Sequence, residues 1–583
     1  MRGVLLSLLA VAALPRAAHC QTADPLKYIP PAAQLIIKIE KPRQLLESAF
    51  KLPLYDQAMK LNTLQRALDT ADFRKFRDLV SYFEKELGKP WPELVDELAG
   101  GGLALGVRYA DAGTDNPTML VMQSRNEETL KKFLIKLVDI FKQEQERQGG
   151  KSQVESKNLE GFEAYQLDEK IVLVRDGSVL FALNQQKLIA PVIDHVKKLH
   201  ASPNLESMAN HPGVTKSRQL LPKNPDAWFW FDLAWAKTLE GAKGILEQPR
   251  NDPIPTFVFA GLLDLGRRSE LISGALTSSS EGYDFTLRLP AGYEHRGMDT
   301  ILHLPKEVPA SYSIPSLHPK NTLYSHAFYL DLAAFYNERE KIFNKEVSKN
   351  LADFQKQVSK VLPSASFEKL MNSTGPIHQV VIAYSDKKPY KTEPNQKIPP
   401  GAYIVPLRDK EASRNFEALV RAGGFLASTQ VPLKMSEETY AGAKLLIYRF
   451  DETKPFPNNG DPENIRFNFA PTFVDLGDKL LFSSTTDLAR ELIDLNKAAP
   501  ASSSSAGYEN MSMEFNAEGG AALIAADPQA VKIQLILSQA LREAEAQKEA
   551  ELLIKYVRNL GVLRINTVYY PNDFRMNFRW ILK

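Results

Sequence analysis

Two short stretches of the sequence resemble motifs that carry chemistry in other proteins. Gly100-Gly101-Gly102 is a glycine run, but a phosphate cradle needs a strand before the glycines and a helix after them. Here a helical pattern precedes the run and a strand pattern follows it, so Gly100 is predicted to cap a helix. Ser366 and Lys369 match the S-x-x-K pattern of a serine nucleophile and its lysine. Enzymes with this pattern carry two further motifs, which are separated from it by a domain. The partial matches to those motifs follow Lys369 too closely to leave room for such a domain, so the match is interpreted as a coincidence.

Histidines and carboxylates offer no clearer site. Four of the nine histidines, His295, His303, His318 and His326, lie close together in sequence, as ligands of a transition metal could. None of them has the three- or four-residue spacing of a preformed ligand pair on a helix. Acidic residues are plentiful, but none stands out by its spacing as a catalytic pair. The sequence therefore predicts no metal site and no cofactor, and it leaves the catalytic residues, if there are any, unknown.

Three of the five tryptophans, Trp228, Trp230 and Trp235, are the candidate binding surface. On a strand, Trp228 and Trp230 point to one face and the phenylalanines between them point to the other. Such a row can stack on sugar rings or on a polymer. A strand that is apolar on both faces is also typical of a buried sheet position. We favour the second interpretation, in which the row mainly packs the core.

The first twenty residues predict export. Arg2 precedes an apolar run from Gly3 to Leu14, and Pro15 and small residues follow it up to Cys20. This is the order of a secretory signal peptide, and the run is too short to span a bilayer. Cleavage before Gln21 would remove Cys20, the only cysteine, so the mature chain could form no disulfide. The alternative is a lipid anchor on Cys20. An exported chain without disulfides favours a bacterial envelope, either the periplasm or the extracellular space.

The charge balance does not favour nucleic acid or anionic lipid as a partner. The formal net charge is +2, and both excess positive charges, Arg2 and Arg16, lie in the signal region. Nucleic-acid binding needs a concentrated positive field, which a neutral mature chain does not indicate. Docking on anionic lipid is equally unsupported. No later stretch is long and apolar enough for a transmembrane segment, so the expected partner is an envelope protein or a polymer.

One pattern occurs twice in the chain. Residues 176–194 align without a gap on residues 476–494, which brings Gly177, Leu180 and Asp194 onto Gly477, Leu480 and Asp494. Both copies predict a glycine turn, a short strand, a polar break and an amphipathic helix. Ser484 and Thr486 in the second break are predicted to cap the helix. Further matches recur at nearly the same offset, such as Arg125 with Arg408 and Gly161 with Gly442.

These repeats predict an α+β fold made of two tandem duplicated halves, each a mainly antiparallel sheet packed against long amphipathic helices. The expected organisation is a signal peptide at 1–20, a first repeat at 21–290, a proline-rich connection at 291–322 and a second repeat at 323–583. The second repeat is expected to open with a strand at 327–332, and a helix of about 25 residues is expected to follow.

A resemblance accompanies this architecture. The export signal, the strand opener Pro31-Ala32-Ala33, the stretch Leu98–Val107 and the Gly-x-x-x-Tyr hairpin at 161–165 come in that order before the Gly177 strand. Together they resemble an exported bacterial family classed as domain of unknown function three-three-five-two. The resemblance implies the fold and the location, and it supplies no catalytic residue.

Export, duplication and the lack of a recognisable reacting group favour a non-enzymatic scaffold or binding protein of the envelope. The alternative is a hydrolase that acts on cell-wall or polysaccharide material, with carboxylates that only the fold brings together. Titratable groups with perturbed pKa values clustered in one cleft would favour the enzyme.

Overall fold

A computed structural model describes most of the chain. The described residues are 24–50, 52–109, 115–147, 149, 154–168, 170–247, 253–361, 367–410, 412–457, 460–498 and 506–583. The signal region, with Cys20, and most of the serine-rich tract near residue 500 lie outside them. The chain divides into two compact units. The first contains the described residues up to Leu239 together with Ser269–Pro290, and the second contains Glu240–Arg268 together with Ala291–Lys583. Residues 240–268, which the sequence places in the first repeat, group with the second unit.

The first unit is built on an antiparallel sheet. Its strands are β1 (Leu35–Ile39), β2 (Leu103–Val107), β3 (Thr118–Gln123), β4 (Glu155–Leu159), β5 (Phe162–Asp168), β6 (Ile171–Asp176), β7 (Val179–Leu183), β8 (Ala227–Asp232), β9 (Leu271–Ser279) and β10 (Gly282–Leu289). Their order across the sheet is β10-β9-β8-β1-β2-β3-β7-β6-β5-β4, and every neighbour is antiparallel. Glycine turns such as Gly161 and Gly177, both at positive φ, join consecutive strands as the sequence predicts.

Helices fill the connections of the first unit. They are α1 (Pro42–Phe50), α2 (Pro53–Ala58), α3 (Asn62–Leu68), α4 (Ala71–Leu87), α5 (Trp91–Ala99), α6 (Glu127–Arg147), α7 (Ile189–Ala201), α8 (Pro212–Leu220) and α9 (Leu233–Ala236). Apolar residues of α4, α5 and α6 pack with Leu103, Met122 and Leu180 in one core cluster. Residues of α7 and α8 pack with Ile36, Phe181 and Trp230 in another. Gly100 caps α5 as predicted, its N–H donating to the carbonyl of Asp96.

The second unit is likewise built mainly on antiparallel strand pairing. Its strands are β11 (Ser311–Tyr312), β12 (Thr322–Tyr329), β13 (Ile377–Ala383), β14 (Gly401–Pro406), β15 (Leu433–Tyr440), β16 (Ala443–Phe450), β17 (Thr472–Asp475), β18 (Lys479–Ser483), β19 (Gly507–Asn516), β20 (Val562–Tyr569) and β21 (Phe574–Ile581). The order is β21-β20-β19-β12-β13-β14-β18-β17-β16-β15, with antiparallel neighbours throughout. The short β11 pairs with β19 in parallel.

The second unit contains helices α10 (Glu240–Glu247), α11 (Pro253–Arg268), α12 (Leu332–Asn337), α13 (Arg339–Ile342), α14 (Lys345–Val361), α15 (Phe367–Ser373), α16 (Ala412–Gln430), α17 (Thr486–Ala498), α18 (Ala517–Ala526), α19 (Pro528–Gln539) and α20 (Glu543–Asn559). Among the described residues no single helix is long and apolar enough to cross a bilayer, although α18 and α19 pass that test as a pair bent by 86°.

The strand orders of the two units correspond. Replacing β1 to β10 by β12 to β21 converts the first order into the second, leaving the short β11 aside. Leu180 in β7 pairs with β3 and β6, and Leu480 in β18 pairs with β14 and β17. Gly177 and Gly477 both lie at positive φ in the turn before those strands. The strand direction and the neighbours of the aligned positions therefore agree.

Two sequence expectations are wrong in detail. The N–H of Leu488 donates to the hydroxyl of Thr485 at 3.4 Å, so Thr485 caps α17 instead of Ser484 or Thr486. The Ser484 hydroxyl instead accepts from the N–H of Gly401. The strand expected at 327–332 is β12, which begins earlier, at Thr322. It ends at Tyr329 because Asp331 accepts from the N–H of Ala334 and starts α12.

Candidate binding site

Trp228 and Trp230 lie in the core of the first unit. Their exposed fractions are 3% and 2%, and both belong to the cluster that includes Ile36 and Phe181. The indole N–H of Trp228 donates to Glu40 at 2.8 Å. The ring of Trp230 contacts that of His211, with ring centroids 5.1 Å apart. Neither indole presents a free face on which a sugar ring could stack.

Trp235 is separated from the other two tryptophans by the turn into α9. Its ring stacks on Tyr109 with a centroid distance of 4.9 Å, and it meets Phe231 edge to face at 6.4 Å. Trp235 is half-buried. The structure thus does not bring the three sequence-predicted tryptophans together on one surface.

A polar cleft of about 770 Å³ lies in the first unit and holds charges of both signs. Its most buried acid is Asp96, and burial raises the pKa of this carboxyl although Arg125 acts against the rise. Arg125 donates to Asp96 at 2.7 Å. A side chain at Gly100 would overlap Asp96 and the Arg125 stem, so the glycine allows this ion pair to form. The arrangement fits a structural ion pair between α5 and the residues after β3.

The four clustered histidines of the sequence do not form one group. In the described part of the chain, no hydrogen bond or ring contact joins any two of them. His303 is half-buried, and desolvation lowers its pKa to about 4. His318 lies near Glu514, and His326 lies on β12 between aromatic rings. Among the described residues, no group of three or more histidine, cysteine, aspartate or glutamate side chains could hold a metal ion.

The most distinctive feature of the second unit is a row of rings across one face of its sheet. We call it the aromatic band, and it comprises Tyr324, His326, Phe328, His378, Tyr403, Phe473, Phe482 and Phe515. Successive ring centroids from Phe515 through Tyr324, His326, Phe328 and His378 to Tyr403 are 5.0, 5.9, 4.6, 5.5 and 5.8 Å apart. Tyr403 is paired in register with Phe482, which lies 5.2 Å from Phe473. Six strands supply the rings of this face.

The sheet places these side chains together because side chains alternate along a strand. Tyr324, His326 and Phe328 are every second residue of β12. The residues between them point to the opposite face, where Ala327 is buried. Phe515, at one end of the band, is 43% exposed, five of the other rings are half-buried, and His378 and Phe473 are buried. Aromatic rings that are half-exposed on a sheet face offer a contact surface for an apolar ligand.

The other end of the band opens into an apolar cleft of about 410 Å³. Tyr403, Phe473 and Phe482 of the band line this cleft, together with Val420 on α16 and Tyr448 on β16. The hydroxyl of Tyr448 donates to the carbonyl of Val420 at 3.0 Å, which joins helix and sheet at this point. A cavity of this size with a mainly apolar lining is typical of small-molecule sites.

Two of the polar rings in the band satisfy each other. The Nε2 atom of His378 is 2.9 Å from the carbonyl of Leu330, which can only accept, so Nε2 carries the proton and donates. The Nδ1 atom therefore accepts, and the hydroxyl of Tyr403 donates to it at 2.7 Å. Burial lowers the pKa of His378 and raises the pKa of Tyr403 to about 12, so both rings are uncharged at neutral pH.

The sequence analysis missed the band although its signal is visible. Tyr324, His326 and Phe328 alternate with Ser325 and Ala327, which is the period of a half-buried strand. The strand was expected to begin at 327, so the first two rings fell outside it. The rings from β13, β14 and β18 could be joined to them only through the strand order.

Comparisons with known proteins do not identify the chain. No family model and no curated protein matches it. Among solved structures, crystal form I of TP0453 is 10% identical, with a TM-score of 0.23, and the match covers 47% of this chain and 81% of that one. Crystal form III of the same protein gives 9% identity and the same TM-score, with 46% and 80% covered. A structural similarity with so low a TM-score supports no conclusion about fold or function.

Proposed function

We propose that the protein is a non-enzymatic binding protein that holds an extended apolar ligand along the aromatic band of its second unit. The observation that carries the proposal is the row of ring contacts from the exposed Phe515 to the cleft lined by Tyr403 and Phe482, in which all rings but His378 and Phe473 keep exposed surface. An apolar chain laid along these rings would remove apolar surface from water on both sides, at about 25 cal/mol per Å².

The polar groups of the band favour binding over catalysis. Tyr403 and His378 hold each other in a hydrogen bond, and burial keeps both uncharged. A general base needs a pKa near the working pH, whereas burial lowers the pKa of His378 and raises that of Tyr403 to about 12. In the first unit, the buried acid of the polar cleft is paired with Arg125. Because Asp96 is held in this ion pair, its raised pKa does not favour the hydrolase alternative.

The same proposal includes export and duplication. The signal pattern at 1–20 supports export to a bacterial periplasm or beyond, and the resemblance to the exported family of unknown function is consistent with it. The corresponding strand orders of the two units support an origin by duplication. Mass spectrometry of the protein from its native host tests export. A mature chain beginning near Gln21, or at a lipidated Cys20, supports it, and an intact Met1 contradicts it.

Binding is tested with N-phenyl-1-naphthylamine, an apolar probe that fluoresces more strongly away from water. The mature protein should bind it saturably. Replacing Val420 with tryptophan puts an indole into the cleft and should weaken binding by about tenfold, or 1.4 kcal/mol. Ile135, an exposed isoleucine on α6 of the first unit, gives the control. Ile135→Trp adds a similar bulk outside the band and should leave the affinity unchanged.

Thermal melts of both variants establish that they are folded. If the probe does not bind the wild-type protein, or if Val420→Trp binds it as well as Ile135→Trp does, the band is not a ligand site.

A further inference from the structure

A second row of rings lies on the sheet of the first unit. We call it the first-unit row, and it comprises Tyr109, Phe229, Phe231, Trp235 and Phe285. The ring centroids of Phe229 and Phe285 are 6.4 Å apart, and the two rings are stacked. The ring of Phe231 lies 6.4 Å from that of Trp235 and 6.3 Å from that of Tyr109, and the last two rings stack at 4.9 Å. All five side chains are half-buried, so each keeps surface in contact with water.

The rings of β8 share one face because Phe229 and Phe231 are alternate residues of the strand. The tryptophans of β8 point to the other face, into the core. Gly274 on β9 pairs with Phe229, and a side chain at this glycine would overlap the rings of Phe229 and Phe285. The glycine therefore allows these two rings to lie over the strand that separates β8 from β10.

Aliphatic side chains continue this face beyond the rings. Phe229 pairs with Ile37 on β1, and Ile37 pairs in turn with Leu105 on β2. Ile37 is 39% exposed, and Leu105 is half-buried. On the other side, Phe285 pairs with Leu276 of β9. The face is thus apolar from β10 across the sheet to β2, and its centre is open to water at Ile37.

This face corresponds to the face that carries the aromatic band. Helix α6 connects β3 with β4, and α16 connects the corresponding strands β14 and β15. In the first unit, α6 packs against Leu120, which pairs with Leu105 on the face of the first-unit row. In the second unit, Val420 of α16 packs with Phe473 and Phe482 of the band. The two rows of rings therefore lie on equivalent sides of the two sheets.

We propose that the first-unit row is a second ligand site, so that one chain binds two extended apolar molecules, one in each unit. The inference rests on the proposed function for the class of ligand, and it adds a site that the aromatic band does not contain. An apolar molecule laid over Ile37 and the neighbouring rings would remove apolar surface from water on both sides of the contact.

The small exposed area of the row favours a slender molecule over a protein as the occupant. An aromatic side chain presents about 200 Å², of which a half-buried ring leaves less than about 100 Å² in contact with water. The five rings and Ile37 together therefore offer less than about 600 Å². A stable protein interface buries about 800 Å² on each partner. An apolar patch of the smaller size on a monomer is typical of a functional contact surface.

The test counts binding sites. The mature protein is titrated with N-phenyl-1-naphthylamine in equilibrium dialysis, and the amount bound at saturation should be two molecules per chain. Val420→Trp fills the cleft of the aromatic band. This variant should therefore lose most of the binding at one site and keep the other, which lies in the first unit.

Ile37→Glu places a carboxylate beside Phe229, and a ligand that covers it would remove its hydration. The affinity of the first-unit site should fall by about tenfold or more, while the site of the band is unchanged. Ile135→Glu makes the same substitution at an exposed isoleucine of α6 and is the matched control, in which both sites should bind as in the wild type. Thermal melts show whether the variants are folded, and Ile37→Gln takes the place of Ile37→Glu if the charged variant is not.

The outcomes separate the two proposals. Two sites, one weakened by each substitution, support both. A single site that responds only to Val420→Trp means that the band binds the ligand and the first-unit row does not. A single site that responds only to Ile37→Glu means that the first-unit row binds the ligand and the function proposed for the band fails. If the probe does not bind, or if neither substitution changes its binding, both proposals are wrong.

Discussion

At the scale of single residues, the same side chain has different roles depending on what covers it. Trp228 and Trp230 sit on a strand with phenylalanines on its other face, and this pattern predicted burial from the sequence alone. The position of Trp235 was not predictable in this way. Asp232 accepts from its N–H at 2.9 Å and starts α9, so the strand ends before this residue and its ring stacks on Tyr109.

Replacing Trp230 with alanine is expected to lower the free energy of unfolding by about 3–5 kcal/mol, because a buried aromatic ring is lost and a cavity is left. The ring lies against Gly213, where an added Cβ would come within 3.0 Å of it, so the lost contacts are close. Urea denaturation measures the change, and hydrogen exchange should show the loss in β1 and β8 before any strand of the second unit.

Trp230→Phe is the control, since it keeps part of the apolar volume and should cost clearly less than alanine. A melting temperature of the alanine variant within about one degree of wild type would show that the ring does not pack the core.

At the scale of elements, the sequence predicted which strands exist better than where they begin. The first strand of the second repeat was expected at 327–332, where apolar residues are consecutive. The strand instead begins at Thr322, and it ends at Tyr329 because the side chain of Asp331 caps the next helix. This shift of a few residues is enough to hide Tyr324 and His326 from a pattern search. The band then requires the long-range pairing of β12 with β13 and β19, which no local pattern contains.

Helix α16 carries two adjacent glycines whose surroundings differ. An added Cβ at Gly423 would meet nothing within 4 Å, whereas one at Gly424 would overlap the ring of Tyr448. Gly423→Ala should therefore stabilise the second unit by about 0.5–1 kcal/mol through helix propensity. Gly424→Ala should destabilise it by about 1–3 kcal/mol, because the helix must move away from the sheet.

Chemical denaturation of the two variants in parallel measures both changes, and each is the other's control. Equal effects of the two substitutions would mean that α16 does not approach β16 at Gly424, and the cleft beside Val420 would then be misplaced.

At the scale of the whole molecule, the aligned stretches 176–194 and 476–494 contain β7 and β18, which occupy corresponding places in the strand orders of the two units. The alignment works because it covers a turn, a strand and a helix that are continuous in sequence. The correspondence between all the strands of the two units, β1 to β10 with β12 to β21, could not be found by aligning the sequence. Its helical connections differ in length and composition, and only the strand pairings make it visible. The alignment also matches Asn184 with Ser484. Both lie in the polar break between the strand and the helix, where Ser484 was predicted to cap the helix.

These two residues have the same role in their units. The N–H of Thr118, the first residue of β3, donates to the side-chain oxygen of Asn184 at 2.8 Å. The N–H of Gly401, the first residue of β14, donates to the hydroxyl of Ser484 at 2.9 Å. Each side chain therefore closes the sheet at the start of a corresponding strand. Two different residue types at aligned positions perform one function, which is expected if the units share an origin.

Asn184→Ala and Ser484→Ala should each destabilise their own unit by about 1–3 kcal/mol, because a backbone N–H at the start of a strand loses its acceptor. Asn184→Ser places in the first unit the residue that performs this role in the second. It should recover part of the loss, though not all, since Asn184 also donates to the carbonyl of Asn116 at 2.7 Å. Hydrogen exchange at the N–H groups of Thr118 and Gly401 assigns each effect to its strand. An Asn184→Ser variant no more stable than Asn184→Ala, with the N–H of Thr118 equally unprotected in both, would contradict the shared role and weaken the case for a duplicated molecule.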